Sequence, residues 1–185
     1  METSNKIRFS KDLIKGKIAE IVFEQMFRDG GKYTILRFGY EYTTPELAQY
    51  QHLVELKDVL QNIRHTPDFI LMSQNKKEVY LVEVKYRSNL IPDEINKIAQ
   101  ETLQIWNPSW LFVATPQGFF FEPCNTIANR EGKIGELFDK WVSKETQKKY
   151  VDLLNHFIPF EQTSVETYQE EEGLTLEEAY DLGLI

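Results

Sequence analysis

The sequence predicts an α/β (α+β) domain on three observations. A long apolar helical pattern lies near the N-terminus, two β-type runs flank a polar turn about Asn75, and a second helical pattern opening at Pro92 leads into a short apolar run from Trp110. Helix and strand periods alternating within 185 residues fit one domain with a full hydrophobic core, and a hydrophobic content of 42% is that of an ordinary globular chain.

Each element has a local cause. Ser10 is a suitable N-cap for a helix over 11–27, ended by Gly30-Gly31. Its apolar residues Leu13, Ile14, Ile18, Ile21, Val22, Phe23, Met26 and Phe27 cover most of the wheel and leave a narrow polar strip of Lys17, Glu20 and Glu24, so the helix is expected to be largely buried. Residues 33–42 are aromatic and β-branched and read as a strand, after which Thr44-Pro45 starts a helix running to Asn62. Residues 67–72 and 78–87 read as an antiparallel hairpin about the turn Ser73-Gln74-Asn75-Lys76-Lys77. Pro92 opens a helix that continues to Ile105 and is closed by Asn107-Pro108. Short strands follow at 110–115 and 119–122 across Pro116-Gln117-Gly118, with Phe119-Phe120-Phe121 read as core. A loop holding Asn125, Asn129 and Gly132 precedes helical patterns over 134–157. The expected organisation is one domain over 1–160 with an acidic C-terminal tail over 161–185.

Charge and composition narrow the function classes. The net charge of −8 is concentrated in that tail, which holds eight acids and no Lys or Arg, whereas the preceding residues balance at 21 basic against 21 acidic. A neutral body can still carry a basic groove, so nucleic acid stays open as a ligand while a strong non-specific footprint is not predicted. The tail is a candidate for covering such a groove or recruiting a protein partner. No stretch approaches the run of about 18–20 apolar residues that a membrane helix needs, and Met1-Glu2-Thr3-Ser4-Asn5-Lys6 lacks a signal-peptide core, so a cytoplasmic protein without membrane contact is expected. The single Cys124 excludes an intramolecular disulfide and reads as a packing residue.

The chemistry gathers at two strands. Pro67-Asp68 opens one, and Glu83-Val84-Lys85 lies inside the otherwise apolar Val79–Tyr86. Glu83 and Lys85, two apart, share a face of their strand, and burying charge there is costly unless the groups are paired or bind a cation. With the turn centred near Asn75, Asp68 faces residues 82–84, so its carboxylate and that of Glu83 come within cross-strand reach. Two hard oxygen ligands suit Mg²⁺, which keeps several waters and needs only one or two protein carboxylates. The Val84 carbonyl is a further candidate ligand. The same acid-x-Lys spacing at Glu55-Leu56-Lys57 and Glu131-Gly132-Lys133 falls on a helix and in a loop, outside any β-type run.

In the order helix, strand, inserted helix, strand, strand, helix, strand, with Pro67-Asp68 and Glu83-Val84-Lys85 on successive strands, residues 10–122 resemble the PD-(D/E)XK nuclease superfamily. The resemblance implies a restriction endonuclease-like αβββαβ core, with a mixed central sheet flanked by helices; the helix over 45–62 reads as an insertion in that core, and residues 134–185 lie outside the match, with 134–158 read as a C-terminal helical extension. It implies a Mg²⁺-dependent nuclease, with Mn²⁺ able to substitute, that hydrolyses phosphodiester bonds in nucleic acid, DNA by analogy with the family. Asp68, Glu83 and Lys85 map directly onto the motif: the carboxylates hold the metal, and Lys85 orients or deprotonates the attacking water and stabilises charge on the phosphorane. Glu20 matches an acidic residue that many members carry on the first helix, although in its strip with Lys17 and Glu24 it reads equally as a solvated residue. Gln100 and Gln104 are similar to a glutamine that some members place near the site, and Arg87, Lys76 and Lys77 are candidate phosphate contacts. His65 is a loop residue near the cleft mouth. Cutting two strands with one site per chain invites a two-fold homodimer. The rival expectation is a relative of the same fold without catalysis, acting as a nucleic-acid- or protein-binding module.

Overall fold

The computed structural model describes residues 2–39 and 66–158, with side chains from Ser10 onward. The elements are α1 (Glu2–Gly30), β1 (Tyr33–Arg37), β2 (Phe69–Ser73), β3 (Val79–Tyr86), α2 (Pro92–Ile105), β4 (Trp110–Thr115), β5 (Gly118–Pro123), α3 (Cys124–Asn129) and α4 (Lys144–Phe157). The predicted helix over 45–62, the end of the first strand past Gly39, His65, the Glu55 motif copy and the acidic tail lie outside the described residues.

The strands form a mixed sheet in the order β1-β2-β3-β4-β5. All neighbours are antiparallel except β3 and β4, which run parallel because α2 carries the chain from the end of one back to the start of the other. Helices cover both faces. On one, Phe23 and Phe27 of α1 and Tyr150 and Leu154 of α4 pack with Val82, Val84, Phe112 and Phe121. On the other, Ile95 and Ala99 of α2 and Cys124 and Ile127 of α3 pack with Leu111 and Val113. The alternation along β3 and β4 therefore splits the sheet into two cores, as the period of two requires. Cys124 is fully buried, in agreement with its reading as a packing residue, and burial pushes its thiol up to about 11. Phe119 and Phe121 are buried in the first core, while Phe120 packs on the second.

The hairpin, α2 and β4 follow the expected bounds closely. Four elements differ. The strand expected over 33–42 ends at Arg37, where the chain leaves the sheet and Phe38 N–H and Gly39 N–H both donate to Asp68 O. α1 begins well before Ser10, so that residue lies inside the helix rather than at its cap. A short α3 occupies the region expected as loop after β5. The helical pattern over 134–157 resolves into α4 alone, because residues 135–137 are drawn out along the edge of β5. Phe121 N–H donates to Gly135 O at 3.0 Å, and Leu137 N–H to Phe119 O at 2.8 Å. Ser143 then caps α4 by accepting from Thr146 N–H.

Glu24, expected in the polar strip of α1, is only 3% exposed. It accepts from Arg28 Nη2 at 2.7 Å and from Arg37 Nε at 2.9 Å, which joins α1 to β1. Burial opposes its ionisation, but the bonds from Arg37 and Arg28 outweigh it and hold the carboxyl below its usual range. A depressed pKa contributes stability above the unfolded value that is lost as pH falls through the folded one. Glu24→Gln is expected to cost about 1–2 kcal/mol at pH 7, the lower part of the range for charged hydrogen bonds because both guanidinium groups are half exposed. The gap between variant and wild type in urea unfolding should narrow as pH falls below the usual carboxylate range, because the folded carboxyl takes up its proton only there.

Candidate functional site

The site forms where β2 leaves β3. The last register pair is Phe69 with Val82, so one step further Asp68 stands opposite Glu83. The chain bends at Asp68, and β3 continues without its neighbour. Asp68 then substitutes for the missing strand by accepting from Val84 N–H through Oδ2 at 2.8 Å. A strand residue's N–H and C=O point to the same edge, so the Val84 carbonyl is directed toward that gap as well.

Glu83 and Lys85 project from β3 toward the α2 face, beside Leu111 and Val113 of β4. Val82 and Val84 point to the α1 core, as the sequence requires. Lys85 Nζ donates to Glu83 Oε1, with the glutamate side chain 17% and the lysine 35% exposed. Burial first, and then the negative charge of Glu83, push the Asp68 carboxyl well above its usual value, against Lys85 and the Val84 N–H. Burial opposes the Lys85 ammonium, but Glu83, Asp68 and the bond to Glu83 outweigh it and raise its pKa. The negative charge of Glu20 is felt at both Asp68 and Lys85, which brings all four predicted residues into one electrostatic unit.

An open cavity of about 550 Å³ adjoins this unit, within the range of about 300–1,000 Å³ common for ligand clefts. Glu20, Val84, Lys85 and Arg87 line it. Glu20 carries an ion pair to Lys17 at 3.1 Å. Arg87 donates through Nη1 to Tyr86 O at 2.7 Å and lies 3.6 Å from Glu94. Gln100 and Gln104 stand exposed on α2 and are not part of the cavity wall, and Lys76 and Lys77 are exposed in the β2–β3 turn. The Glu131-Gly132-Lys133 copy lies in the turn after α3, apart from the strands. Lys15, Gly16, Ser88 and Glu94 also line the cavity and were not singled out from the sequence. Gly16, a glycine inside a helix, was the available signal.

Asp68 Oδ1 and Glu83 Oε2 have no hydrogen-bond partner among the described residues, so each carboxylate retains an oxygen for a ligand. Among the same residues no three His, Cys, Asp or Glu side chains converge as a ready-made metal cage, and no helix is long and apolar enough to cross a membrane. Chemically, the arrangement can bind a hard cation at two carboxylates and present a charged amine beside it to an anion entering from the cavity. Comparison with protein-family models and with curated proteins finds no match to this chain.

Proposed function

We propose that the protein is a Mg²⁺-dependent nuclease of restriction endonuclease-like fold that hydrolyses phosphodiester bonds in nucleic acid, DNA before RNA. One observation carries this reading: Asp68 and Glu83 bring carboxylates together at the parting of two strands, with the Lys85 ammonium held between them and an open cavity. The helix and strand order, with a parallel β3–β4 pair after an antiparallel hairpin, supports the fold assignment.

The residues fit a divalent cation. Each carboxylate has one oxygen without a described partner, and the Asp68 carboxyl, pushed up by burial and then by the Glu83 charge despite Lys85, would be favoured in its ionised form by a cation beside it. Asp68, Glu83 and the Val84 carbonyl would hold the ion, with Glu20 at the edge. The bound ion would supply polarisation of the phosphate and offset the charge that builds on it. Lys85 stays an ammonium at neutral pH because its pKa is raised, so its role is to orient the attacking water and stabilise charge on the phosphate oxygens. Removing a preorganised donor of this kind costs about 10²–10³ in rate. Lys85→Ala is expected to lose that much in cleavage of mixed DNA and RNA substrates with Mg²⁺ or Mn²⁺. Equal products from wild type and variant would remove the enzyme reading.

The rival, a binding module without catalysis, is favoured by the balanced charge of residues 1–160 and the acid-rich sequence over 161–185. Calorimetric titration with Mn²⁺ separates the cases: the nuclease reading requires a saturable site that Glu83→Ala abolishes.

A further inference from the structure

We propose that the turn of α1 carrying Lys15, Gly16 and Lys17 is a contact strip for the sugar-phosphate backbone of a nucleic-acid strand running out of the Asp68–Glu83–Lys85 site. The inference rests on the nuclease reading in taking the ligand to be nucleic acid, and needs no cleavage. Glycine is the poorest helix former after proline, yet Gly16 sits in the interior of a 29-residue helix. A Cβ there would meet nothing within 4 Å, so no packing within the described protein requires the missing side chain.

What the bare position does is keep the cavity wall low. Gly16 faces the cavity with Lys15 and Lys17 on either side of it in sequence, and the wall also holds Arg87 and Ser88 together with the acids Asp12, Glu20 and Glu94, of which Glu20 and Glu94 are paired to Lys17 and Arg87. Arg87 Nε is buried and makes no hydrogen bond, although it is ion-paired with Glu94 Oε2 at 3.6 Å. A polyanionic strand could approach the helix backbone at Gly16 and take a charge-assisted hydrogen bond from Lys15, with Lys17, paired to Glu20, adding only its position beside the strand. Contacts of this kind position a strand without reading its bases, so binding through them is independent of sequence.

The test is fluorescence anisotropy of labelled single-stranded and duplex DNA and RNA, without divalent ions so that nothing is cut. Gly16→Ala and Gly16→Gln are expected to melt about 2–4 °C higher, because both residues are better helix formers and the space is open. Gly16→Gln should nevertheless bind about tenfold more weakly, the equivalent of one lost charge-assisted contact. Lys15→Ala should reduce the slope of log affinity against log salt by about one. Unchanged affinity in Gly16→Gln, an unchanged slope in Lys15→Ala, a lower melting temperature in both Gly16 variants, or no binding by wild type to any of the four nucleic acids overturns the inference. Wild type that binds but never cleaves with Mg²⁺ or Mn²⁺ removes the nuclease reading, while weaker binding by Gly16→Gln would still support this one.

Discussion

Gly132→Ala is expected to destabilise the fold by about 4 kcal/mol or more, seen as loss of soluble protein or a fall in Tm of more than about 10 °C. Two independent costs meet at this position. Its φ of +86° is a conformation that L side chains rarely adopt, and an added Cβ would lie 1.9 Å from the carbonyl oxygen of Pro92. The obstructing atoms are backbone, including Asn96 N at 3.0 Å, so relief requires moving the first turn of α2 itself. That turn also carries Glu94, which faces Arg87 at the cavity, so any variant that folds by shifting α2 should disturb the site too. Gly31→Ala is the control. Gly31 has a positive φ of +66° but nothing within 4 Å of its Cβ position, so only the backbone cost of about 1–2 kcal/mol is expected. Equal losses in the two variants would show that close approach to α2 is not what holds residue 132 to glycine.

The sequence made the strands of the site legible because their signals are local. Alternation sorts Val82 and Val84 from Glu83 and Lys85 without knowledge of the partners, and the polar turn about Asn75 fixes the register that sets Asp68 opposite Glu83. Pro92 marks the start of α2 for the same reason: its fixed φ and missing N–H act at that residue. Long-range contacts were not legible. Glu24 reads as a surface residue of an amphipathic helix until Arg37, thirteen residues away, supplies a partner that lets it be buried. Residues 135–137 have a helical pattern, yet the free edge of β5 offers their backbone a better set of hydrogen bonds. The cavity is likewise a product of packing. Lys15 and Ser88 have no sequence signal because nothing in the spacing says that the early part of α1 and the end of β3 line one space.

Asp68→Asn is expected to move stability and activity in opposite directions. Burial and the nearby Glu83 charge raise the Asp68 pKa, so the folded protein holds that proton more tightly than the unfolded chain does. Stability from this group is therefore fully present below the unfolded pKa of about 4 and declines as pH rises toward the folded value. An amide has no such proton to lose, and its oxygen can still accept from Val84 N–H, while Lys85 keeps Glu83. Without divalent ion the variant should thus melt above wild type at pH 7, with the difference shrinking as pH falls to 4. On the proposed reading, millimolar Mg²⁺ should raise the Tm of wild type by mass action and leave the variant nearly unmoved, since one of the two proposed carboxylate ligands is gone. The proposed nuclease activity should drop by about 10³–10⁵, combining the loss of a preorganised charge with ion affinity weakened by about 10–100-fold. Melting curves across pH with and without Mg²⁺ distinguish this from a purely structural role. If Asp68 served only to hold the strands together, its replacement would lower Tm at every pH, and Mg²⁺ would shift both proteins equally or neither.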